Sequence, residues 1–390
     1  MLTAAVVSLL IGVAGCGAGT SPPATSKGPS TISSSCSQFK GSPTYRVSSA
    51  SQLPALDAVQ FLTTQLGWVA GSQTVLETAD GGTAWHRIYS GTSTISRLDF
   101  INCTTGWILG TAGLWMTSNG GSTWNQLATP VPVANVMAVH LANNHNGVML
   151  GGPSVNGVFS GGSLYQTTTG GKSWSKETLS HVAAIGFSSP SSGWAVASAG
   201  AHETVWQTTD GGDTWHQVSN LPVIQPTEGV WNASIQAASA TSVWVLITAQ
   251  YGATEHVPNA AFVSADAGKT WSTALSSGSD QVASQPSASS VLGVQAGPFA
   301  AIGNSAFFLS IAMTPSGNLL TMTATSDEGV SWTQVNIGTD GAGSIPHFLT
   351  APLAIAASSP STLWIAGSVS GHGTLIKSVD AGATWQPVMP

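Results

Sequence analysis

One eight-residue phrase constrains this chain more than any other feature, because it returns seven times. Its pattern is Ser/Thr-x-Asp-x-Gly-x-Ser/Thr-Trp, with small departures in some copies. The copies begin at Thr78, Thr117, Thr167, Thr208, Ser264, Thr325 and Ser378. Successive copies lie about 40 to 60 residues apart, a period typical of blades or solenoid turns. The sequence therefore predicts one array of repeats, numbered one to seven in chain order.

A second phrase precedes each copy and completes the repeat. It consists of an apolar segment, a short loop, Gly-Trp or an equivalent, and an apolar pair, as in VQFLTTQLGWVAG from Val59. Each repeat can thus supply four short strands: A and B from this phrase, C leading into the Asp, and D beginning at the final Trp. Charged residues make up only 6% of the chain, against about 25% in typical soluble domains. With abundant Gly, Ser and Thr, this composition favours an all-β fold with tight turns.

The repeated phrase has a structural explanation. Asp-x-Gly between two strands makes a hairpin in which Gly takes a positive φ and the Asp carboxylate accepts backbone N–H groups. The Trp then covers the hairpin and is expected to pack against the next sheet. Copies two and three carry Asn or Thr in place of Asp, and these cannot do carboxylate chemistry. We therefore assign a structural role to Asp80, Asn119, Thr169, Asp210, Asp266, Asp327, Asp380, Trp85, Trp124, Trp174, Trp215, Trp271, Trp332 and Trp385.

The phrase resembles the Asp-box, or bacterial neuraminidase repeat. Over residues 54–388 the whole unit is similar to the propellers of the photosystem II stability and assembly factor family, of sortilin-type receptors and of xyloglucanases. The resemblance implies a seven-bladed β-propeller of four-stranded blades, but it says little about function. The assembly-factor family carries a basic patch for its partner, and this chain has too few arginines to build one.

The positions of the three arginines also argue against a sialidase. Sialidases hold the substrate carboxylate with three arginines from separate blades, which suits the geometry of the guanidinium group. Here Arg46, Arg87 and Arg97 all lie before or within the first two repeats, so they cannot encircle a central pocket. The Phe/Tyr-Arg-Ile-Pro phrase of the first sialidase blade is also missing.

The chain begins with a targeting segment. Residues 1–16 form an apolar run that ends in Val-Ala-Gly-Cys and resembles a bacterial lipobox, with Cys16 as the lipidated residue. No Lys or Arg precedes the run, and an ordinary secretory signal is the alternative. Residues 17–43 are rich in Ser, Thr, Pro and Gly and are predicted to be a tether, followed by the propeller at 44–390. We expect a lipid-anchored protein of the cell envelope, outside the cytoplasm.

Two further cysteines lie in the tether and in the second repeat. In an oxidising compartment Cys36 and Cys103 can pair and fix the end of the tether to the folded body. The alternative is two unpaired thiols.

A candidate binding face comes from the loops between strands B and C and between repeats, where propellers usually bind ligands. The histidines show no spacing typical of metal ligands, and we predict neither a metal nor a cofactor. The candidate residues are Trp231, Tyr251, Glu228, Glu255, His256, His202 and His372.

Two classes of function remain. The first is a non-catalytic binding or assembly scaffold, expected to be a monomer, whose partner is an envelope protein or a glycan. The net charge of −7 argues against nucleic acid, and the membrane is contacted through the lipid anchor only. The alternative is a glycoside hydrolase, not a sialidase, that pairs Glu228 or Glu255 with Asp280.

Overall fold

The computed structural model describes residues 44–45, 55–155, 158–159, 161–198, 203–222, 230–250, 259–277, 295–314, 317–337, 350–369 and 372–389. Over these ranges the chain is all-β, apart from a single turn of 3-10 helix at Val133–Asn135. None of the helical structure in these ranges is long and apolar enough to cross a membrane.

The first two repeats form one antiparallel sheet of seven strands. An outer strand at Thr44–Tyr45 pairs with the strand that begins at Trp85. The strands are β1 (Thr44–Tyr45), β2 (Leu56–Phe61), β3 (Gly67–Thr78), β4 (Trp85–Phe100), β5 (Gly106–Gly110), β6 (Gly113–Thr117) and β7 (Asn125–Leu127).

The third and fourth repeats form a second seven-stranded sheet, and a separate two-stranded hairpin joins β10 to β11. The strands are β8 (Val136–Leu141), β9 (Gly147–Gly151), β10 (Ser154–Val155), β11 (Val158–Phe159), β12 (Gly162–Thr167), β13 (Ser175–Phe187), β14 (Gly193–Ser198), β15 (Glu203–Thr208) and β16 (His216–Asn220).

Each of the last three repeats forms a four-stranded antiparallel sheet whose strands follow one another in chain order. The fifth comprises β17 (Val230–Ala237), β18 (Val243–Gln250), β19 (Asn259–Ser264) and β20 (Ser272–Ser277). The sixth comprises β21 (Gln295–Ile302), β22 (Ser305–Thr314), β23 (Gly317–Thr325) and β24 (Thr333–Ile337). The seventh comprises β25 (Thr350–Ala357), β26 (Leu363–Val369), β27 (His372–Ser378) and β28 (Gln386–Met389).

Two long strands run from one repeat into the next without a loop. The first part of β4 pairs with β3 through residues 86–94, and its second part pairs with β5 through residues 95–100. In the same way β13 pairs with β12 through residues 175–182 and with β14 through residues 182–187. Each long strand therefore serves as strand D of one repeat and strand A of the following one.

The hydrophobic core lies between repeats, in a propeller arrangement. Among the described residues the buried apolar side chains fall into seven clusters, and six of them join two consecutive repeats. The seventh cluster contains Leu56 and Phe61 of repeat one together with Trp364 and Leu375 of repeat seven. The last repeat thus packs against the first, so the chain closes into a ring.

The two kinds of tryptophan pack in opposite directions. The strand B residue Trp68 stacks on Phe100 of the following repeat, with ring centroids 4.2 Å apart and an interplanar angle of 4°. Trp364 stacks in the same way on Phe61 at 3.9 Å and 6°, across the ring closure. By contrast, Trp124 of the repeated phrase contacts Tyr89 of the preceding repeat. The expectation that these tryptophans pack against the next sheet was therefore wrong in direction: their partner is the preceding repeat.

Candidate functional site

A central cavity of about 620 Å³ lies where the inner strands of the repeats meet. One residue of strand A in each repeat, opposite the strand B position of the Trp, lines this cavity. These ring positions are Gln60, Asp99, His140, Gly186, Gln236, Ala300 and Ala356. The ring is asymmetric: polar side chains occupy it in repeats one to three and five, and glycine or alanine occupies it in the others.

Hydrogen bonds join the polar side of the ring from one repeat to the next. The Gln60 amide donates to Asp99 Oδ1 at 2.9 Å, and its own oxygen accepts the backbone N–H of Phe100 at 2.7 Å. His140 Nδ1 lies 3.3 Å from Asp99 Oδ2, and its Nε2 lies 3.3 Å from the carbonyl oxygen of Pro190. Side chains of repeats one, two and three therefore link four consecutive repeats around the cavity.

A missing tryptophan explains why repeat three carries a histidine in the ring. At the other junctions with a phenylalanine at the end of strand A, a strand B Trp of the preceding repeat stacks on that ring. Repeat three has Val148 at the strand B position, which leaves Phe187 of repeat four without such a Trp. His140 stacks there instead, with centroids 3.6 Å apart and an interplanar angle of 11°. Its position thus has a structural cause.

Burial and hydrogen bonds constrain the charged side chains that line the cavity. Both oxygens of Asp99 have partners, Gln60 and His140, which fix the orientation of this carboxylate. Burial raises the pKa of Asp57 and lowers the pKa of Arg97. The Arg97 guanidinium donates to the carbonyl oxygen of Val136 at 3.3 Å, a further link to the following repeat.

The repeated phrases form closely similar hydrogen-bonded turns. In repeat six the Thr325 hydroxyl donates to Asp327 Oδ1 at 2.7 Å, and the Ser331 amide donates to the same oxygen at 2.9 Å. The Thr325 hydroxyl oxygen accepts the Gly329 amide at 3.0 Å. In repeat two Asn119 accepts the equivalent amide at 2.9 Å, as does the Thr169 hydroxyl in repeat three at 3.0 Å. Because uncharged side chains support the same turn, the carboxylates of these phrases serve its geometry.

Each turn also packs against the preceding repeat. The glycine two residues after the Asp position of the phrase has a positive φ and lies against a side chain of the preceding repeat. Gly82 lies against Trp364, Gly268 against Trp194 and Gly329 against Trp244. A side chain at any of these glycines would collide with an indole or strain the backbone. The phrase is therefore placed where it holds neighbouring sheets together.

Most of the predicted binding face falls outside the described residues. This applies to Tyr251, Glu228, Glu255, His256 and His202. The backbone of Trp231 lies in β17 and pairs with Ala249, but its side chain is also outside the description. His372 is exposed at the start of β27. Of this set only the His372 side chain lies within the described residues, so the binding face stays a prediction.

The predictions for the cysteines also depend on residues outside the description. Cys103 forms a disulfide, and its partner is outside the described residues, as are Cys16 and Cys36. Pairing of Cys36 with Cys103 and lipidation of Cys16 remain predictions. Among the described side chains, no three His, Cys, Asp or Glu residues come together as a metal site would require.

Sequence reasoning missed the polar ring. A signal was present, because Gln60, Asp99 and His140 each interrupt an apolar strand A segment at the same register. Single polar residues in such segments do not show from the sequence that they meet across a cavity.

The comparisons with known proteins agree with this architecture. A sequence profile of the family described as photosynthesis system II assembly factor YCF48 matches residues 45–185, which covers repeats one to three and the start of repeat four. No curated protein sequence matches the chain. The extracellular domain of the one-component system BT4673 from B. thetaiotaomicron is similar in structure, with a TM-score of 0.50 and 10% identity over 86% of this chain.

Two other solved structures are more distant. The extracellular domain described as part of a hybrid two-component system, also from B. thetaiotaomicron, has a TM-score of 0.48 with 10% identity over 86% of this chain. The GH74 xyloglucanase from Xanthomonas campestris has a TM-score of 0.30 with 14% identity over 83% of this chain. This chain spans 40%, 39% and 62% of the three proteins, in the order given. The profile match and the structural similarity support a β-propeller of the bacterial neuraminidase repeat type.

Proposed function

We propose that the chain is a seven-bladed Asp-box propeller that acts outside the cytoplasm as a non-catalytic scaffold for an envelope protein or a glycan. The blade number is supported by the long strands: β4 and β13 each belong to two repeats, so each seven-stranded sheet divides into two blades. The three four-stranded sheets complete the set. The hydrogen bonds of the repeated turns support their assignment as Asp-box hairpins.

The observation that supports the non-catalytic role is the hydrogen bonding of Asp99. This carboxylate lines the central cavity, and its two oxygens contact Gln60 and His140 of the neighbouring repeats. Both contacts fix the orientation of the carboxylate, which favours a structural role for it. The arrangement binds neighbouring blades to one another, as a rigid scaffold requires.

The similarity to the assembly-factor family adds support for a scaffold. Its profile matches the first three repeats, and its description names assembly rather than catalysis. The shortage of arginine argues against a basic docking patch, so we expect a partner that does not depend on one.

The anchor is part of the proposal and has its own test. Metabolic labelling with a fatty-acid analogue should label the full chain, and Cys16→Ala should abolish the label. Labelling that persists in the variant would contradict lipidation at Cys16.

The function is tested by affinity purification of the full chain from the host's solubilised envelope. The native chain should retain a defined envelope component that a Trp231→Ala, Tyr251→Ala double variant loses. Equal retention by both proteins would remove these two residues from the binding face. Turnover of an envelope glycan by the native chain, lost in Glu228→Gln, Glu255→Gln or Asp280→Asn, would replace the scaffold with the glycoside hydrolase alternative.

A further inference from the structure

The outer strand of repeat three departs from its neighbour over residues 177–181. Tyr165 of β12 pairs with Lys176 of β13 and Gly162 pairs with Val182, so three steps along β12 match six along β13. The surplus residues form a wide bulge in which His181 adopts a left-handed conformation with φ of 57°. Such a conformation is unfavourable for a residue with a side chain, and wide bulges occur often beside functional sites.

Cavities flank this bulge on both sides. The first, of about 320 Å³, lies between repeats three and four and is called the junction groove; its volume falls within the range of small-ligand sites. Trp206 of strand C and Trp215 of the Asp phrase line it. The second cavity, of about 410 Å³, contains Tyr165 and Lys176. Ser180 and His181 line both cavities.

At the junction between repeats one and two, an aromatic ring fills the equivalent groove. It also has a tryptophan pair at these positions, Trp115 and Trp124. There the Tyr89 ring packs between them, with centroids 5.9 Å and 5.7 Å from the two indoles. Tyr89 is the fourth residue after its Asp-phrase Trp, and the corresponding residue of repeat three is Thr178. The junction groove therefore lacks the ring that closes its counterpart.

The residue before Thr178 is also exceptional. At the third position after the Asp-phrase Trp, six repeats carry an apolar residue, and repeat three carries Glu177. In repeat one the equivalent Ile88 lies against Gly121 of the following turn. Glu177 instead borders the groove, where burial and the nearby Asp213 raise its pKa. A carboxyl group at this position weakens the junction, which calls for an explanation other than packing.

We infer that the junction groove binds one ring of a neutral pyranose-containing glycan, stacked where Tyr89 stacks in the first junction. Both indole N–H groups are already used, by the Thr204 hydroxyl at 3.0 Å and the Gly212 carbonyl at 3.1 Å. The indoles therefore offer only carbon surface, which suits the C–H face of a sugar. The rim offers the Glu177 carboxylate and the hydroxyls of Thr178, Ser180 and Ser198, which suit its hydroxyl groups.

Two competing ligands fit less well. A tyrosine side chain of a partner protein has a ring of the right shape but only one hydroxyl for these polar groups. An anionic sugar would approach Glu177 and Asp213, which oppose negative charge. An oligosaccharide can continue past Ser180 and His181 into the second cavity, since both residues border it.

The inference rests on the proposed function in that it takes the propeller to be a binding module, and it names a ligand class and a place. The two can fail separately. If the chain retains an envelope protein through Trp231 and Tyr251 but binds no sugar, the glycan inference fails and the scaffold proposal stands. Hydrolysis of a bound sugar would overturn the scaffold.

Saturation-transfer NMR on the full chain tests the inference, with methyl pyranosides of glucose, galactose, mannose and N-acetylglucosamine as probes. We expect saturable binding of at least one probe. Thr178→Tyr should fill the groove as Tyr89 does and weaken binding by about tenfold or more. The matched control Thr178→Val removes one rim hydroxyl but leaves the groove open, so it should weaken binding clearly less than Thr178→Tyr. Glu177→Leu restores the residue type of the other repeats, and should raise the melting temperature and weaken binding.

The following results would contradict the inference. No saturable binding to any probe, or unchanged binding to Thr178→Tyr, would overturn the inference. So would unchanged binding to Glu177→Leu, a variant expected to fold well. Saturable binding of N-acetyl-tyrosinamide without binding of a sugar would assign the groove to a protein side chain and exclude a glycan.

Discussion

Glu77 on β3 is fully buried, and among the described residues neither of its carboxylate oxygens has a hydrogen-bond partner of good geometry. Burial raises its pKa from 4.5 to about 8, an effect that the nearby Trp68 indole offsets only in part. The folded protein thus keeps the proton up to about pH 8, while the unfolded chain releases it near 4.5. Between these values the unfolded state binds fewer protons, so the free energy of unfolding falls as the pH rises.

Glu77→Gln should remove that part of the pH dependence, because an amide does not ionise. Urea unfolding from about pH 5 to about pH 8 should give a shallower decline in unfolding free energy than the native chain shows. Glu77→Asp, which retains a carboxyl group, is the control and should still decline. Parallel curves for the native chain and Glu77→Gln would contradict the assignment.

Hydrogen bonds in the repeated turns lower the pKa of Asp210, Asp266, Asp327 and Asp380, the opposite direction to Glu77. Hydrogen bonds from the Ser331 hydroxyl and amide, and from the Thr325 hydroxyl, lower the pKa of Asp327 to about 2. A lowered pKa in the folded state stabilises the protein above the ordinary value near 3.8. That contribution is lost as the pH falls through about 2.

Asp327→Asn should fold normally, because Asn119 already supports the same turn in repeat two. Its unfolding free energy should depend less on pH than that of the native chain between about pH 4 and about pH 2. Chemical unfolding across this range measures the difference. An equally steep acid dependence would show that the Asp327 carboxylate does not contribute as described.

At the scale of the strands, the junction between repeats seven and one and that between repeats one and two share one stacking scheme. A strand B Trp covers the phenylalanine at the end of strand A in the following repeat, and an Asp-phrase Trp reaches back. Repeat three departs from the scheme, since Val148 replaces the Trp and the His140 ring takes its place on Phe187. The two positions should therefore be coupled energetically.

This coupling can be tested by placing a strand B Trp opposite a small ring residue, as Trp364 lies opposite Ala356 in repeat seven. Val148→Trp alone should overpack against His140, and His140→Ala alone should uncover Phe187, each costing about 1–3 kcal/mol. The double variant should cost less than the sum, because a Trp at this position packs on the glycine two residues after the Asp position of the next turn in other repeats. A double-mutant cycle from urea unfolding supplies the value, and simple additivity would refute the coupling.

At the scale of the molecule, stability depends on closure of the ring. The cluster between repeats seven and one buries Leu56 and Trp364, and the Lys377 ammonium donates to the Gly81 carbonyl at 3.0 Å. Lys377 also lies over the Trp364 ring, 4.5 Å from its centroid. Without repeat seven, the apolar faces of repeats one and six would both be exposed to water.

A chain ending at residue 349 should therefore fail to give a folded monomer. Size-exclusion chromatography and circular dichroism should show aggregation or loss of the cooperative transition. Lys377→Ala is the graded control: it removes only the polar contact and should leave a monomer with a lower melting temperature. A stable, monomeric truncated chain would show that closure is dispensable.

The sequence by itself determined the repeat, the four strands of each unit and the all-β class. These follow from local turn chemistry and short apolar segments, which act within a few residues of Asp327, Gly329 and Trp332. It did not determine that Gln60, Asp99 and His140 would meet around the cavity. Nor did it show that Thr178 leaves open a groove that Tyr89 fills elsewhere. Those features depend on which repeats become neighbours and on the bulge at residues 177–181, so only the tertiary structure decided them.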